Sequence, residues 1–199
     1  MNRERGRADL LRRKFIAPLL ESARDRMKEA ISRRALIGLA LAAIPTVALA
    51  KLPEAWATYS NGRFGTSIQY PRGFRPSAPS RNSDGLTFAA PDGAELRVWG
   101  AFNVHEFEQD DLERYQREHH GPGENIFEAE RGDRWFAFIG RRGPTDFFYR
   151  RYLMSHGNKV INAFEVTYRQ DLRAEYELIV ARIAKSFRPG RAPALQEKR

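Results

Sequence analysis

Between residues 125 and 168 four stretches of strand-type sequence follow one another, with only short connections between them. They run Asn125 to Glu130, Arg134 to Gly140, Asp146 to Ser155 and Lys159 to Tyr168. The connections are Arg131-Gly132-Asp133, the stretch around Arg141-Arg142-Gly143-Pro144, and His156-Gly157-Asn158. A parallel crossover needs roughly a dozen residues, so connections this short leave only antiparallel pairing. The stretch therefore predicts a meander of antiparallel strands, the feature around which the rest of the domain must be arranged.

The segments on either side extend that sheet and cover it. Trp56 and Tyr59 mark a first edge segment, and Asn61-Gly62 is a turn signal. Phe64, Thr66, Ile68 and Tyr70 alternate on one face of a strand that ends at Pro71. Arg72 to Asp84 reads as a surface loop and Leu86 to Ala90 as a short strand. Ala94 to Val104 is the next strand, with Leu96, Val98, Phe102 and Val104 on one face and Arg97, Trp99 and Asn103 on the other. Gly100 within it marks a bulge or a close packing contact. A helix is predicted over Phe107 to His119, with Asp110 and Asp111 in its first turn and Leu112, Tyr115 and His119 as its buried stripe. A second helix, Leu172 to Phe187, has Asp171 as its N-cap and Leu172, Tyr176, Ile179, Val180, Ile183 and Phe187 as its apolar stripe. The fold class read from these patterns is α+β, an antiparallel sheet with two main helices packed on it.

Ahead of this body stands the uncharged apolar run Ala35 to Ala50, preceded by Lys28, Arg33 and Arg34 and ending in Ala48-Leu49-Ala50. Basic, then apolar, then small-x-small is the order of a secretory signal peptide, with cleavage expected after Ala50. A helical membrane span needs roughly 20 residues, so the run is short for an anchor; an uncleaved anchor through 35–50 is the alternative. Arg33 and Arg34 also resemble the core of a twin-arginine export signal, without the lysine that usually follows; the general secretory route is preferred. Residues 1–34 are basic, with Leu11, Phe15, Leu19 and Leu20 at helical spacing. They read either as an amphipathic helix at a membrane surface or as sequence upstream of a true start at Met27. The domains expected are a leader over 1–50, one folded domain over 51–188 and a disordered tail over 189–199.

Composition narrows function mainly by exclusion. The whole chain carries +9, but residues 51–199 hold 23 Lys/Arg against 20 Asp/Glu, a net of about +3. That is too little for a concentrated nucleic-acid surface. There is no cysteine. Disulfides, thiolate-ligated zinc and iron–sulfur clusters are therefore excluded, and so is a lipid anchor on a cysteine following the leader.

Candidate sites are few. His119 and His120 are adjacent, so on a helix they point about 100° apart and do not chelate one metal. Asp110 and Asp111, with Glu106, Glu108 and Glu113, read as a solvated helix start rather than a cation site. Neither Ser67 nor Ser155 sits in a nucleophile elbow. The doublets Arg141-Arg142 and Arg150-Arg151 lie on strands joined at Gly143-Pro144. With Trp99 or Trp135 they form the candidate anion- or partner-binding patch, set against ordinary surface arginines packing on aromatic rings.

The strings RFGTSIQYP (63–71), DGLTFAAPDGAELRVWG (84–100) and IAKSF (183–187), in this order of elements, resemble the PsbP-like fold group and its bacterial DcrB-like relatives. The resemblance covers about residues 56–188. It implies an antiparallel sheet with helices on its faces, and a binding or accessory role; it carries over no site residue. The function expected is that of an exported, non-catalytic binding or accessory protein of the bacterial envelope. It would be periplasmic or secreted, with no cofactor or metal, no nucleic-acid partner, the export machinery as a passing partner, and an unidentified protein or envelope component as the lasting one. An envelope enzyme of hydrolase type and a membrane-anchored domain are the alternatives.

Overall fold

The computed structural model describes residues 52–190. The leader, with Arg33, Arg34, Ala48 and Ala50, and the tail from residue 191 lie outside the described residues.

The chain enters through a hairpin of β1 (Trp56–Ser60) and β2 (Ser67–Pro71), which pair only with each other. A seven-stranded antiparallel sheet follows. Its strands are β3 (Arg75–Pro76), β4 (Gly85–Ala89), β5 (Glu95–Phe102), β6 (Glu124–Arg131), β7 (Trp135–Arg142), β8 (Asp146–Ser155) and β9 (Val160–Arg169). They lie in the order β3-β4-β5-β9-β8-β7-β6. The four strands β6 to β9 form the expected meander, and β9 pairs on its far side with β5. The link from β5 to β6 runs from mid-sheet to the edge and contains helix α1 (Gln109–Glu118). Helix α2 (Arg173–Ser186) closes the fold.

Strand alternation divides the core into two layers. One face of the sheet carries Leu96, Val98, Phe147, Tyr149, Phe164 and Val166, packed against the β1–β2 hairpin and against Tyr176, Ile179 and Ile183 of α2. The other face carries Phe136, Phe138, Phe148, Tyr152 and Ala163, which meet Leu112 of α1. The strand and helix positions expected from the sequence are largely these.

The hairpin turn is wider than an Asn-Gly two-residue turn. The Asn61 Oδ1 accepts from the amides of Arg63 and Phe64 at 2.9 and 2.8 Å, so the side chain rather than a Gly62 kink organises the loop. Phe64 and Thr66 consequently lie in the loop, before β2 begins, yet both reach the interior. Phe64 fills the space above Gly100, where an added Cβ would come within 2.5 Å of the ring. Gly100 is thus a close packing contact. The Thr66 hydroxyl donates to Asn162 Oδ1, and Asn162 Nδ2 donates to Ser155 Oγ at 2.8 Å, tying the loop to β8 and β9.

Several sequence expectations are corrected. β5 stops at Phe102 because Asn103 bonds Phe107 and Asn158 through its side chain; Val104 has left the sheet and is 75% exposed. Of the α1 stripe only Leu112 is buried; the helix otherwise meets the sheet through polar side chains, Gln109 bonding the Trp135 carbonyl, Gln116 accepting from Tyr152 and Arg117 lying over Phe138. Tyr115 faces outward and stacks on His119 at 4.2 Å. Asp171 makes no cap bond: a 3-10 turn, Gln170–Leu172, leads into α2, and the Asp171 carboxylate pairs with Arg169 at 2.5 Å. After α2, Arg188 and Ser67 exchange backbone hydrogen bonds at 2.9 and 3.0 Å, fastening the chain to β2.

Candidate functional site

The two arginine doublets are each split by the pleat. Arg141 and Arg151 project to the α2 face and Arg142 and Arg150 to the α1 face, as the registers Arg142↔Asp146 and Phe138↔Arg150 require. Trp135 goes with the first pair and Trp99 with the second. The six residues anticipated as one patch therefore form two groups on opposite sides of the sheet.

On the α2 face the arginines act as packing. The Arg151 guanidinium lies 3.7 Å from the centre of the Trp135 ring, and its Nη1 donates to the Ala184 carbonyl at 3.2 Å. Burial pushes its pKa down, with Tyr149 and Glu130 pulling the other way. Arg141 lies over Phe147 at 4.8 Å.

On the α1 face the arginines build an ionic network. The Arg150 guanidinium grips Glu124 end-on, with Nη2 to Oε1 at 2.7 Å and Nη1 to Oε2 at 3.1 Å. Its Nε donates to Glu165 Oε2 at 2.5 Å. Arg142 Nη2 donates to Glu124 Oε1 at 2.6 Å and to Glu165 Oε1 at 2.9 Å. The Gly121 amide donates to Glu124 Oε2 at 3.1 Å, so the loop after α1 is held down on the sheet by the same carboxylate. Burial alone would raise the Glu124 pKa, but the guanidiniums of Arg150 and Arg142 and the Gly121 amide hold it at about 2. Phe148 lies under both guanidiniums, at 4.9 Å from Arg150 and 5.7 Å from Arg142. Both can reach over it because Gly140, the neighbour of Phe148 on β7, has no side chain; a Cβ there would lie 2.6 Å from the Phe148 ring.

Helix α1 covers one end of this face, where the Tyr152 hydroxyl donates to Gln116 at 2.8 Å. The uncovered end is a cleft of about 460 Å³. Its floor is the network, and its side wall is Glu95, Arg97 and Trp99, three alternate residues of β5. The rim opposite is Gly121-Pro122. Arg97 lies over the Trp99 ring at 5.2 Å, and Tyr152 meets that ring edge-on at 6.2 Å. Burial raises the Tyr152 pKa to about 12, against the pull of Arg150.

Glu124, Glu165 and Arg97 were not singled out from the sequence. Glu165 had a usable signal: a four-residue connection that pairs Ser155 with Val160 places Arg150 directly opposite Glu165. Glu124 had none, because the bulge between Ile126 and Glu128 shifts the β6–β7 register that places it opposite Arg142. The histidines and helix-start acids stay apart from the cleft; His119 Nδ1 sits 2.9 Å from the Tyr115 carbonyl, and Asp110 pairs with Arg131 at 2.5 Å. Among the described residues no group of three or more His, Asp or Glu is placed to hold a metal ion. Among them, too, no helix is long and apolar enough to cross a membrane.

A scan against protein-family models returned no match, and neither did the comparison with curated proteins. Solved structures do match. The solution structure of cyanobacterial PsbP (CyanoP) from Synechocystis sp. PCC 6803 superposes with a TM-score of 0.53 at 16% identity, over 75% of this chain and 98% of that one. A crystal structure from Bacteroides thetaiotaomicron VPI-5482 gives a TM-score of 0.42 at 10% identity, over 68% of this chain and 48% of that one. The match to CyanoP supports the PsbP-like side of the resemblance read from the sequence, while the DcrB-like side stays an expectation. The described part of this chain has the PsbP-like fold.

Proposed function

We propose that this chain is an exported, non-catalytic binding or accessory protein of the bacterial cell envelope, and that the cleft on the α1 face is where it meets its partner. The observation that carries the reading is the Arg142–Arg150–Glu124–Glu165 network: four charges fixed by mutual bonds beneath an open cleft walled by Trp99. Such a floor is preorganised for recognition.

The same geometry disfavours the enzyme reading. A general base works best with a pKa near the working pH, whereas Glu124 is held far below it and Tyr152 far above. The leader and the PsbP-like fold support the accessory and envelope parts of the proposal. A soluble periplasmic or secreted form is preferred, with retention through 35–50 as the alternative.

The test uses the full chain with a C-terminal tag in a bacterial host. Fractionation should place it outside the cytoplasm, shortened at Ala50, and capture from envelope extract should retain a partner that a Trp99→Ala variant loses. A full-length chain found in the cytosolic fraction, or a partner retained equally by both forms, contradicts the proposal.

A further inference from the structure

We infer that the cleft on the α1 face takes a singly charged carboxylate borne on an apolar body, with Arg97 as the residue that binds it. The inference rests on the binding reading above and names the ligand chemistry. Of the three arginines lining the cleft, Arg142 and Arg150 are bonded to Glu124 and Glu165, and Arg142 Nη1 also donates to the Thr167 hydroxyl at 3.4 Å. Arg97 is different. It is exposed, and among the described residues no carboxylate lies within ion-pair distance of it. Its contact is the face of Trp99, 5.2 Å away, which orients the guanidinium without using its N–H groups.

A planar guanidinium with a free donor edge fits a carboxylate in two parallel hydrogen bonds. Phosphate also fits that fork, but the surrounding charge separates the two. Glu95 flanks Arg97 on β5, Glu165 lies directly opposite it on β9, and Glu124 lies deeper in the cleft. Arg142 and Arg150 balance two of these carboxylates, so Arg97 is the one cation of the lining left to answer a ligand's charge; it answers that of a monoanion, while a dianion brings a second charge that must lose water against Trp99 and Pro122 without a partner. Trp99 and Pro122 line the space beside Arg97 and supply apolar surface for the body that carries the charge. The same chemistry is offered by a small aromatic or aliphatic acid and by an acidic side chain of a polypeptide.

The test is calorimetric titration of the full chain with 3-phenylpropionate, its amide, inorganic phosphate, and the peptide acetyl-Phe-Glu-amide. The expected result is saturable binding of 3-phenylpropionate, with the amide weaker by about tenfold or more, the cost of one charge-assisted pair. Phosphate should fail to compete. Arg97→Gln should remove the preference for acid over amide, whereas Arg141→Gln, on the opposite face, should leave it intact. Tighter binding of the peptide than of the free acid assigns the carboxylate to a polypeptide, and the reverse assigns it to a small molecule. Equal binding of acid and amide, phosphate binding as well as the acid, no saturable binding of either carboxylate probe, or an Arg97→Gln variant that is folded by circular dichroism and unchanged in preference would each overturn the inference. If an envelope partner is lost with Trp99→Ala but kept with Arg97→Gln, the binding proposal stands and the carboxylate assignment falls.

Discussion

The two faces of the seven-stranded sheet receive the same gift from the sequence, one arginine from each doublet, and put it to opposite uses. On the α2 side Arg151 is laid flat on Trp135 and roofed by the end of a helix, so its guanidinium serves as a packing surface. On the α1 side Arg150 sits among carboxylates under an opening to solvent. Covering decides the difference. Helix α2 presents a four-residue apolar stripe to its face, while α1 offers a single buried leucine and leaves the cleft end of its face uncovered. A charged residue on a covered face must find aromatic and backbone partners. On the uncovered face it can be held ready for something outside the chain.

The contrast is most easily broken at Arg150. Arg150→Ala strips the main partner from Glu124 and Glu165, whose side chains are 2% and 9% exposed, and should cost about 3–5 kcal/mol in urea unfolding. A loss as small as that of a surface substitution would mean the network is not a buried one. Acid provides a second probe. The folded Glu124 carboxyl is depressed to about 2 from an ordinary 4.5, because Arg150 and Arg142 outweigh its burial. Its contribution is therefore complete above pH 4.5 and disappears as the pH falls towards 2. After screening through the open side we expect it to be about 2 kcal/mol at most, and a Glu124→Gln variant should lack that pH dependence. Gly100→Ala tests the covered face, where the added methyl meets Phe64; a loss of about 1–3 kcal/mol is expected in thermal unfolding. The smallest effect belongs to Arg151→Met, which keeps the stem packed on Trp135 and gives up the bond to Ala184 and the polar interactions with Tyr149 and Glu130; about 1 kcal/mol should be lost.

How much of this was legible in the sequence follows from the range of each interaction. The meander was, because hairpin connections and period-two alternation are local. Helix α2 was, because its stripe is regular over its whole length. The end of β5 was not: Asn103 bends the chain through bonds to Asn158, more than fifty residues on. The doublets could be seen, and so could the rule that neighbours on a strand point apart; which member would meet carboxylates depended on where α1 and α2 came to rest. The Arg150–Glu165 pair was derivable from hairpin register, whereas Glu124 faces Arg142 only because a bulge in β6 shifts the register, and reaches Arg150 across β7.

The central claim is that the molecule meets its partner through the uncovered α1 face. A photo-crosslinking residue at Glu95, on the cleft wall, and another at Leu178, exposed on α2, test it in living cells with the full chain. The account predicts a discrete crosslinked adduct from position 95 and none from position 178. An adduct from position 178 alone, or from neither, would contradict it.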